Sequence, residues 1–354
     1  MTSAQETLIT DQTAKPREDW IDYLRGIAIL LMIIGHTSVY DPIRMWIYGF
    51  HMPLFFMISG LLFNKTKWHA VGYRQFLITR VKNYLIPYFL WCGICFLINL
   101  PMLYYTYRDD NFPSALLQNL GWIATSVRVD GVFLPQNCTP LWFLTCLFLS
   151  QQVFYWLLKC KPVWQFVLCG VFIAINYIMN LFQMPILLWH FEVSLIGAVF
   201  MLLGYSIREK KLLENIKNPW IILAMFIGSS VLIMITGFKD LYYRLYGTDL
   251  TLYMISAAIM CYTVIWTCKS FKTLYLKTII CSLGMYSVIA MALNYSINRY
   301  VRAAYQTVSN LSGINLDWME YPLILINIVI CLAAIAGYRK LATKHQGIRV
   351  FIGR

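Results

Sequence analysis

The chain has 354 residues, 59% of them hydrophobic and only 13% charged, with a formal net charge of +13. A chain this long and this apolar is not a soluble globule, and it reads as an all-α membrane protein. The positive charge lies in short runs between apolar segments and forms no continuous basic surface; this excludes nucleic acid as a partner and points to the lipid bilayer.

Ten apolar segments follow one another, at about 21–40, 45–63, 84–105, 140–158, 163–182, 187–206, 220–238, 250–268, 279–298 and 321–338. Read as ten transmembrane helices with the amino terminus in the cytoplasm, they leave 22 of the 29 Lys and Arg residues inside and 7 outside, alternating at every loop. That bias sets the orientation, and an even number of crossings puts the carboxyl terminus in the cytoplasm too. The expected division is a tail over 1–19, a membrane domain over 20–340 and a basic tail over 341–354, with both tails too short for a soluble domain. The opening MTSAQETLITDQTA has no apolar core, so no cleavable signal peptide is expected.

The first segment carries charge where a plain anchor would not. Its apolar run between Gly26 and His36 is too short to cross about 30 Å of hydrocarbon, so the span closes only if polar residues go inside. Arg25 and His36 are eleven residues apart, and eleven steps of about 100° return to nearly the same face three turns on. Asp22 lies one turn before Arg25. An ionisable group in hydrocarbon costs roughly 2.5 to 3.5 kcal/mol, so this stripe is a candidate site. Its bland reading is an Arg that reaches the headgroups and a His bonded to a neighbouring helix.

His51 adds an imidazole in the outer half of the second segment, two residues before Pro53, whose missing N–H frees the carbonyl of Gly49. Either a polar pocket between the first two helices or a kink whose histidine satisfies a freed carbonyl fits these residues. The following inner stretch, KTKWHAVGYRQFLITRVKNYLIPY, holds five cations and no acid. It reads as plain topology or as a docking site for a phosphorylated cytosolic ligand, with Arg74, Arg80 and Lys82 near a helix start.

Residues 106–139 form the longest loop and fall outside, with Asp109, Asp110, Asn111 and Pro113 interrupting any apolar run. Glu192, in the outer part of the sixth segment, is a further buried charge and a candidate partner of His36 or His51; His190 falls on a different face. Aromatic residues at segment ends, among them Tyr84, Tyr88, Trp142 and Trp220, read as interfacial belts. The ten cysteines lie mostly in apolar segments without paired spacing and read as reduced thiols, with Cys138 near the outer surface. No nucleophile elbow, phosphate loop or paired metal-ligand spacing occurs, so no metal is expected.

The motif DYLRGIAILLMIIGH, with its Arg-x10-His spacing at Arg25 and His36, and FHMPLFFMISGLLF at 50–63 resemble the acyltransferase family 3 of integral membrane O-acyltransferases. Weaker similarity follows at RVKNYLIPY (80–88), TPLWFLTCLF (139–148) and FMLLGYSIREK (200–210), so the resemblance spans roughly 18–340. It implies ten helices in a bacterial plasma membrane, an acyl-coenzyme A donor (acetyl-CoA foremost) arriving from the cytosol, and an acceptor hydroxyl on an extracytoplasmic cell-envelope glycan or lipid-linked saccharide. On that resemblance His36 is the catalytic base or transient acyl carrier, Arg25 helps hold the donor or the pocket, and Arg74, Arg80 and Lys82 meet its phosphates. His51, Glu192 and Asp22 would line the substrate pocket. The family's Arg-x-x-Arg pattern is incomplete, since Asn83 stands three residues after Arg80, with Lys82 the neighbouring cation. The competing reading is a transporter or flippase of a lipid-linked or polyanionic solute, for which the same stripe would line a pathway.

Overall fold

The computed structural model of the chain describes residues 18–37, 40–109, 111–127, 139–270, 276–314 and 317–353. Each of the ten apolar segments contains helix. The first is α1 (Asp19–Gly35); the second is split into α2 (Asp41–Tyr48) and α3 (His51–Leu61). After helix α4 (Lys65–Val71), a continuous run starts with α5 (Tyr73–Arg80), passes a π-helical turn at Val81–Leu85 and continues as α6 (Ile86–Tyr107). Then come α7 (Phe112–Thr125), α8 (Trp142–Leu157), α9 (Pro162–Leu181), α10 (Phe191–Glu209) and α11 (Pro219–Ile235). A two-stranded hairpin, β1 (Lys239–Asp240) with β2 (Leu245–Tyr246), leads to α12 (Leu250–Ser270), α13 (Lys277–Met285), α14 (Ser287–Ser312) and α15 (Glu320–Lys344).

Among the described residues five helical runs are long and apolar enough to cross a membrane, and up to seven if each of two bent pairs is one span. The bends are 66° between Asp41–Leu61 and α4, and 90° between α13 and α14. Ten crossings are not reached on this criterion. At about 1.5 Å per residue, α1, α8 and α11, with 17, 16 and 17 residues, fall short of the hydrocarbon thickness. The chain is an all-α, multi-pass membrane protein.

Helix α1 is enclosed on several sides. Leu24, Ala28, Ile29, Met32 and Ile33 of α1 are buried among α3, α12, α13, α14 and α15. Between helices in lipid the hydrophobic effect supplies no driving force, so contact depends on close packing through small residues. Two reciprocal glycine pairs provide it. A Cβ on Gly26 would stand 1.9 Å from the carbonyl oxygen of Ile280, and one on Gly284 2.0 Å from that of Asp22, which locks α1 to α13. Gly60 and Gly204 do the same for α3 and α10, at 1.9 Å from Met201 O and 2.0 Å from Met57 O.

The stretch 106–139, expected as a loop, is not a loop throughout. Asn111 caps α7 by accepting from the amide of Ser114 at 3.2 Å, and Pro113 sits in its first turn. The residues that interrupt the apolar run are thus a helix-start signal. Tyr88 pins α7 to α6 by donating to the carbonyl of Ile123 at 2.8 Å. Tyr88 and Trp142, expected in an interfacial belt, are both buried, whereas Trp220 is exposed. The nine described cysteines are free thiols; Cys138 lies outside the described residues. The carboxyl-terminal turn Gln346–Ile352 packs back on the start of α6, where Trp91 donates to the carbonyl of Phe351 at 2.8 Å.

Candidate active site

His36 is the residue on which α1 ends. Its amide donates to Met32 O at 3.1 Å, and its carbonyl accepts from Asn298 at 3.1 Å. Asn298 belongs to a buried amide chain in which Asn327 bonds both Asn294 Oδ1 and Asn298 Oδ1 at 2.8 Å. Gly35 lets α2 come close: a Cβ there would stand 3.1 Å from the ring of Tyr48 and 3.2 Å from Ile47. The approach brings the Tyr48 hydroxyl to 3.0 Å from His36 Nδ1.

Pro53 breaks its helix instead of kinking it. The chain leaves helical geometry at Phe50, and Pro53 falls in the first turn of α3, where its missing N–H has no intrahelical partner to lose. In an unbroken helix the carbonyl of Ile47 would accept the amide of His51. Here the imidazole takes that place, with His51 Nδ1 at 2.9 Å from Ile47 O. A carbonyl can only accept, so Nδ1 carries the proton and Nε2 keeps its lone pair.

Both imidazoles line one cavity of about 130 Å³, together with Tyr48, Trp142 and the hairpin residues Asp240, Tyr242 and Tyr243. The Tyr48 ring stands between them, with centroids 5.9 Å from His36 and 5.0 Å from His51. Trp142, at the start of α8, packs on His190 at 4.6 Å and on Tyr242 at 5.5 Å. Every one of these residues lies at a segment end that the Lys and Arg distribution assigns to the outer side. On the hairpin, Asp240 Oδ1 accepts the amide of Tyr242 at 2.9 Å, and burial raises its carboxyl to about 6.

The other sequence candidates lie elsewhere. Arg25 is about 16 Å along the axis from His36, by eleven rises of about 1.5 Å; it is partly exposed and 3.7 Å from the buried Asp22. Neither lines the cavity. Glu192 does not meet the histidines. It pairs with Arg244 at 3.8 Å, both buried, and accepts the amide of Leu187 at 3.2 Å. Of the three inner cations, Arg74 and Lys82 are exposed, while Arg80 lies inward, 4.6 Å over Trp68 and 4.8 Å over Phe76. Its Nε is buried without a hydrogen-bond partner, as is Oε1 of Gln151, whose amide nitrogen reaches the Tyr84 hydroxyl at 2.9 Å. Among the described residues no cluster of three His, Cys, Asp or Glu side chains could hold a metal.

Tyr48, Trp142 and Asp240 complete the cavity without having stood out in the sequence. Trp142 has the composition of an interfacial residue, and Asp240 is an ordinary loop acid until the hairpin turns it inward. The signal present for the hairpin was its flanking glycines, Gly237 and Gly247, both at positive φ.

A bundle of apolar helices with two imidazoles and a phenol converging on one cavity marks a multi-pass membrane protein with a candidate site at that cavity. The family described as "Acyltransferase domain" matches residues 18–337, nearly the whole chain, and the chain belongs to that family. Among curated proteins it is 33% identical over 92 residues to nodulation protein NolL of Sinorhizobium fredii, covering 23% of this chain and 25% of that protein. It is 35% identical over 89 residues to nodulation protein NolL of Mesorhizobium japonicum, covering 21% and 22%. The chain thus spans about a quarter of the length of the curated relatives it matches. No solved structure matches it.

Proposed function

We propose that this protein is a membrane O-acyltransferase, foremost an O-acetyltransferase, that moves the acyl group of cytosolic acyl-coenzyme A to a hydroxyl of an extracytoplasmic cell-envelope glycan or lipid-linked saccharide. The observation that carries this reading is the convergence of His36, Tyr48 and His51 on one cavity in a chain of the acyltransferase family. The setting we infer is a bacterial plasma membrane with ten crossings and both termini in the cytoplasm, supported by the alternation of Lys and Arg along the chain.

In this mechanism the acceptor hydroxyl gives its proton to His36 as its oxygen bonds the thioester carbonyl carbon. The carbon–sulfur bond then breaks, and the coenzyme A thiolate leaves with the proton returned by the imidazolium. General-base help of this kind is worth about 10²- to 10⁴-fold. For His36 Nε2 to act as base, Nδ1–H must donate to Tyr48 Oη, a role the 3.0 Å contact allows. His51 Nε2, facing the same cavity with its tautomer set by Ile47, orients the acceptor or takes a proton in turn. At the other end, Arg80 on its aromatic shelf is the cation best placed to meet donor phosphate, with Arg74, Lys82 and Arg25 contributing charge near the surface.

The test is acyl transfer by purified protein in nanodiscs, with release of free thiol from acetyl-CoA followed in the presence of envelope glycan. His36→Ala protein that inserts and accumulates normally is expected to lose at least about 10²-fold in turnover. Unchanged turnover would remove His36 from the chemistry. Glycan-independent movement of a lipid-linked solute without thiol release would favour a transporter instead.

A further inference from the structure

The hairpin Lys239–Tyr246 is built with more care than a connecting loop needs. A two-stranded ribbon is marginal by itself, yet two buried cations fasten this one. Lys239 is fully buried, and its Nζ donates to the carbonyls of Ile233 at 2.7 Å and Gly237 at 2.5 Å. Arg244, held at a positive φ of 56°, donates to the carbonyl of Met184 and lies against Glu192. Removing two cations from water is costly. What they hold in place is the turn between the strands, and that turn forms one wall of the cavity opposite the imidazoles.

We propose that this hairpin is the acceptor-recognition element and that Asp240 is its acceptor-binding carboxylate, taking hydrogen bonds from hydroxyls of a neutral saccharide ring stacked on the aromatic wall of Trp142, Tyr242 and Tyr243. This rests on the acyl-transfer reading for the chemistry done at His36, but the recognition can be tested apart from it.

The chemistry of the wall selects the class. Sugars present an apolar C–H face and a rim of donor hydroxyls; aromatic rings suit the first and a fixed carboxylate the second. The bond from the Tyr242 amide to Asp240 Oδ1 holds the carboxylate in one direction, and Trp142 and Tyr242 are each backed by His190, with centroids at 4.6 Å. His190 is itself anchored, its Nε2 donating to Ser126 O at 2.9 Å. Among the described residues no lysine or arginine lines the cavity, so an acidic sugar would face Asp240 without a counter-charge. The division of labour is spatial: α1 to α3 carry the imidazoles, and the hairpin presents the hydroxyl to them.

The experiment uses the full chain in nanodiscs. Saturation-transfer NMR against a panel of neutral and acidic methyl glycosides and envelope oligosaccharides reads binding, and thiol release from acetyl-CoA reads turnover. Neutral saccharides are expected to bind the wild type. Asp240→Asn is expected to weaken that binding and raise the acceptor KM about 10- to 100-fold, the loss of a charged hydrogen bond, with the acetyl-CoA KM unchanged; Asp240→Glu recovers part of both. Saccharide binding without thiol release would sink the acyl-transfer reading and leave this inference standing. Thiol release onto a non-saccharide hydroxyl with no saccharide bound would do the reverse. Wild-type binding and acceptor KM in Asp240→Asn, or a preference for acidic sugars, would overturn the assignment.

Discussion

The hydroxyl of Tyr48 lies 3.0 Å from Nδ1 of His36, across the junction between the first and second helical segments. A tyrosine hydroxyl can donate or accept, so this contact admits the tautomer with the proton on Nδ1, and only that form leaves Nε2 able to accept another. Tyr48→Phe is therefore expected to lower kcat about 10- to 100-fold, the scale of one lost hydrogen bond in the reacting array. The KM for acetyl-CoA should be unaffected, and steady-state kinetics in nanodiscs separates the two.

His51 has a structural and a chemical nitrogen, and substitution can divide them. Asparagine places an amide N–H near the position of Nδ1 and so can still serve the Ile47 carbonyl. His51→Asn is expected to keep its melting temperature close to wild type while losing turnover. His51→Ala leaves that carbonyl only the Phe50 amide at 3.2 Å, a loss of one buried hydrogen bond worth about 0.5 to 1.5 kcal/mol, and should melt earlier. Equal melting of the two variants would refute the division.

Glu192 and Arg244 are a buried pair, and breaking one partner leaves the other charged in a low-dielectric interior. Arg244→Met or Glu192→Leu alone is expected to cost about 3 to 5 kcal/mol, seen as early melting or loss of monodisperse protein. The double variant should be the more stable, since no stranded charge remains. If the double variant is worse than either single one, the pair is a net stabiliser of the hairpin.

The inner cations are ranked by their surroundings. Arg80→Ala is expected to raise the acetyl-CoA KM at least about tenfold through loss of a charge-assisted phosphate contact. Arg74→Ala and Lys82→Ala, which remove exposed and water-screened charges, should change it little at physiological salt. The reverse ranking would move the donor site away from the Trp68 and Phe76 shelf.

Asp240 connects recognition to pH and to stability. Its folded-state value near 6 lies above the ordinary 3.8 of a carboxyl, because burial disfavours the charge. The groups that share its cavity are His36, Tyr48 of α2, His51 of α3, and Tyr242 and Tyr243 of its own hairpin, and Tyr253 of α12 lies within its electrostatic reach. Protonation removes the acceptor-binding carboxylate, so the acceptor KM is expected to rise as pH falls below about 6. Asp240→Asn should abolish that pH dependence. The stability effect runs the other way. A carboxyl whose folded value is raised favours folding when protonated, and that advantage is lost as pH rises from the ordinary value through about 6. At pH 7 to 8 Asp240→Asn is accordingly expected to melt higher than wild type while binding acceptor less well. A lower melting temperature would contradict the assignment of a strained, functional carboxylate.

The membrane class and the positions of ten helical segments were legible in the chain because they follow from local quantities. Long apolar runs need a hydrocarbon solvent, and an imidazole within such a run is costly without a use. Helix α7 is the converse case: Asn111 and Pro113 cap and start it, yet the same residues interrupt an apolar run, so local pattern does not separate a helix start from a loop. Which helices touch was not legible. Glu192 is as near in sequence to a histidine as to any cation, and only the path of the chain through the hairpin brings Arg244 to it. Arg25 and His36 stand near the two ends of α1, since helical periodicity fixes direction around an axis and leaves about 16 Å along it. Tyr48 and Asp240 reach the same cavity from segments almost two hundred residues apart, and that meeting depends on glycine-mediated close packing and a ribbon fixed by buried cations, long-range contacts that no local pattern encodes.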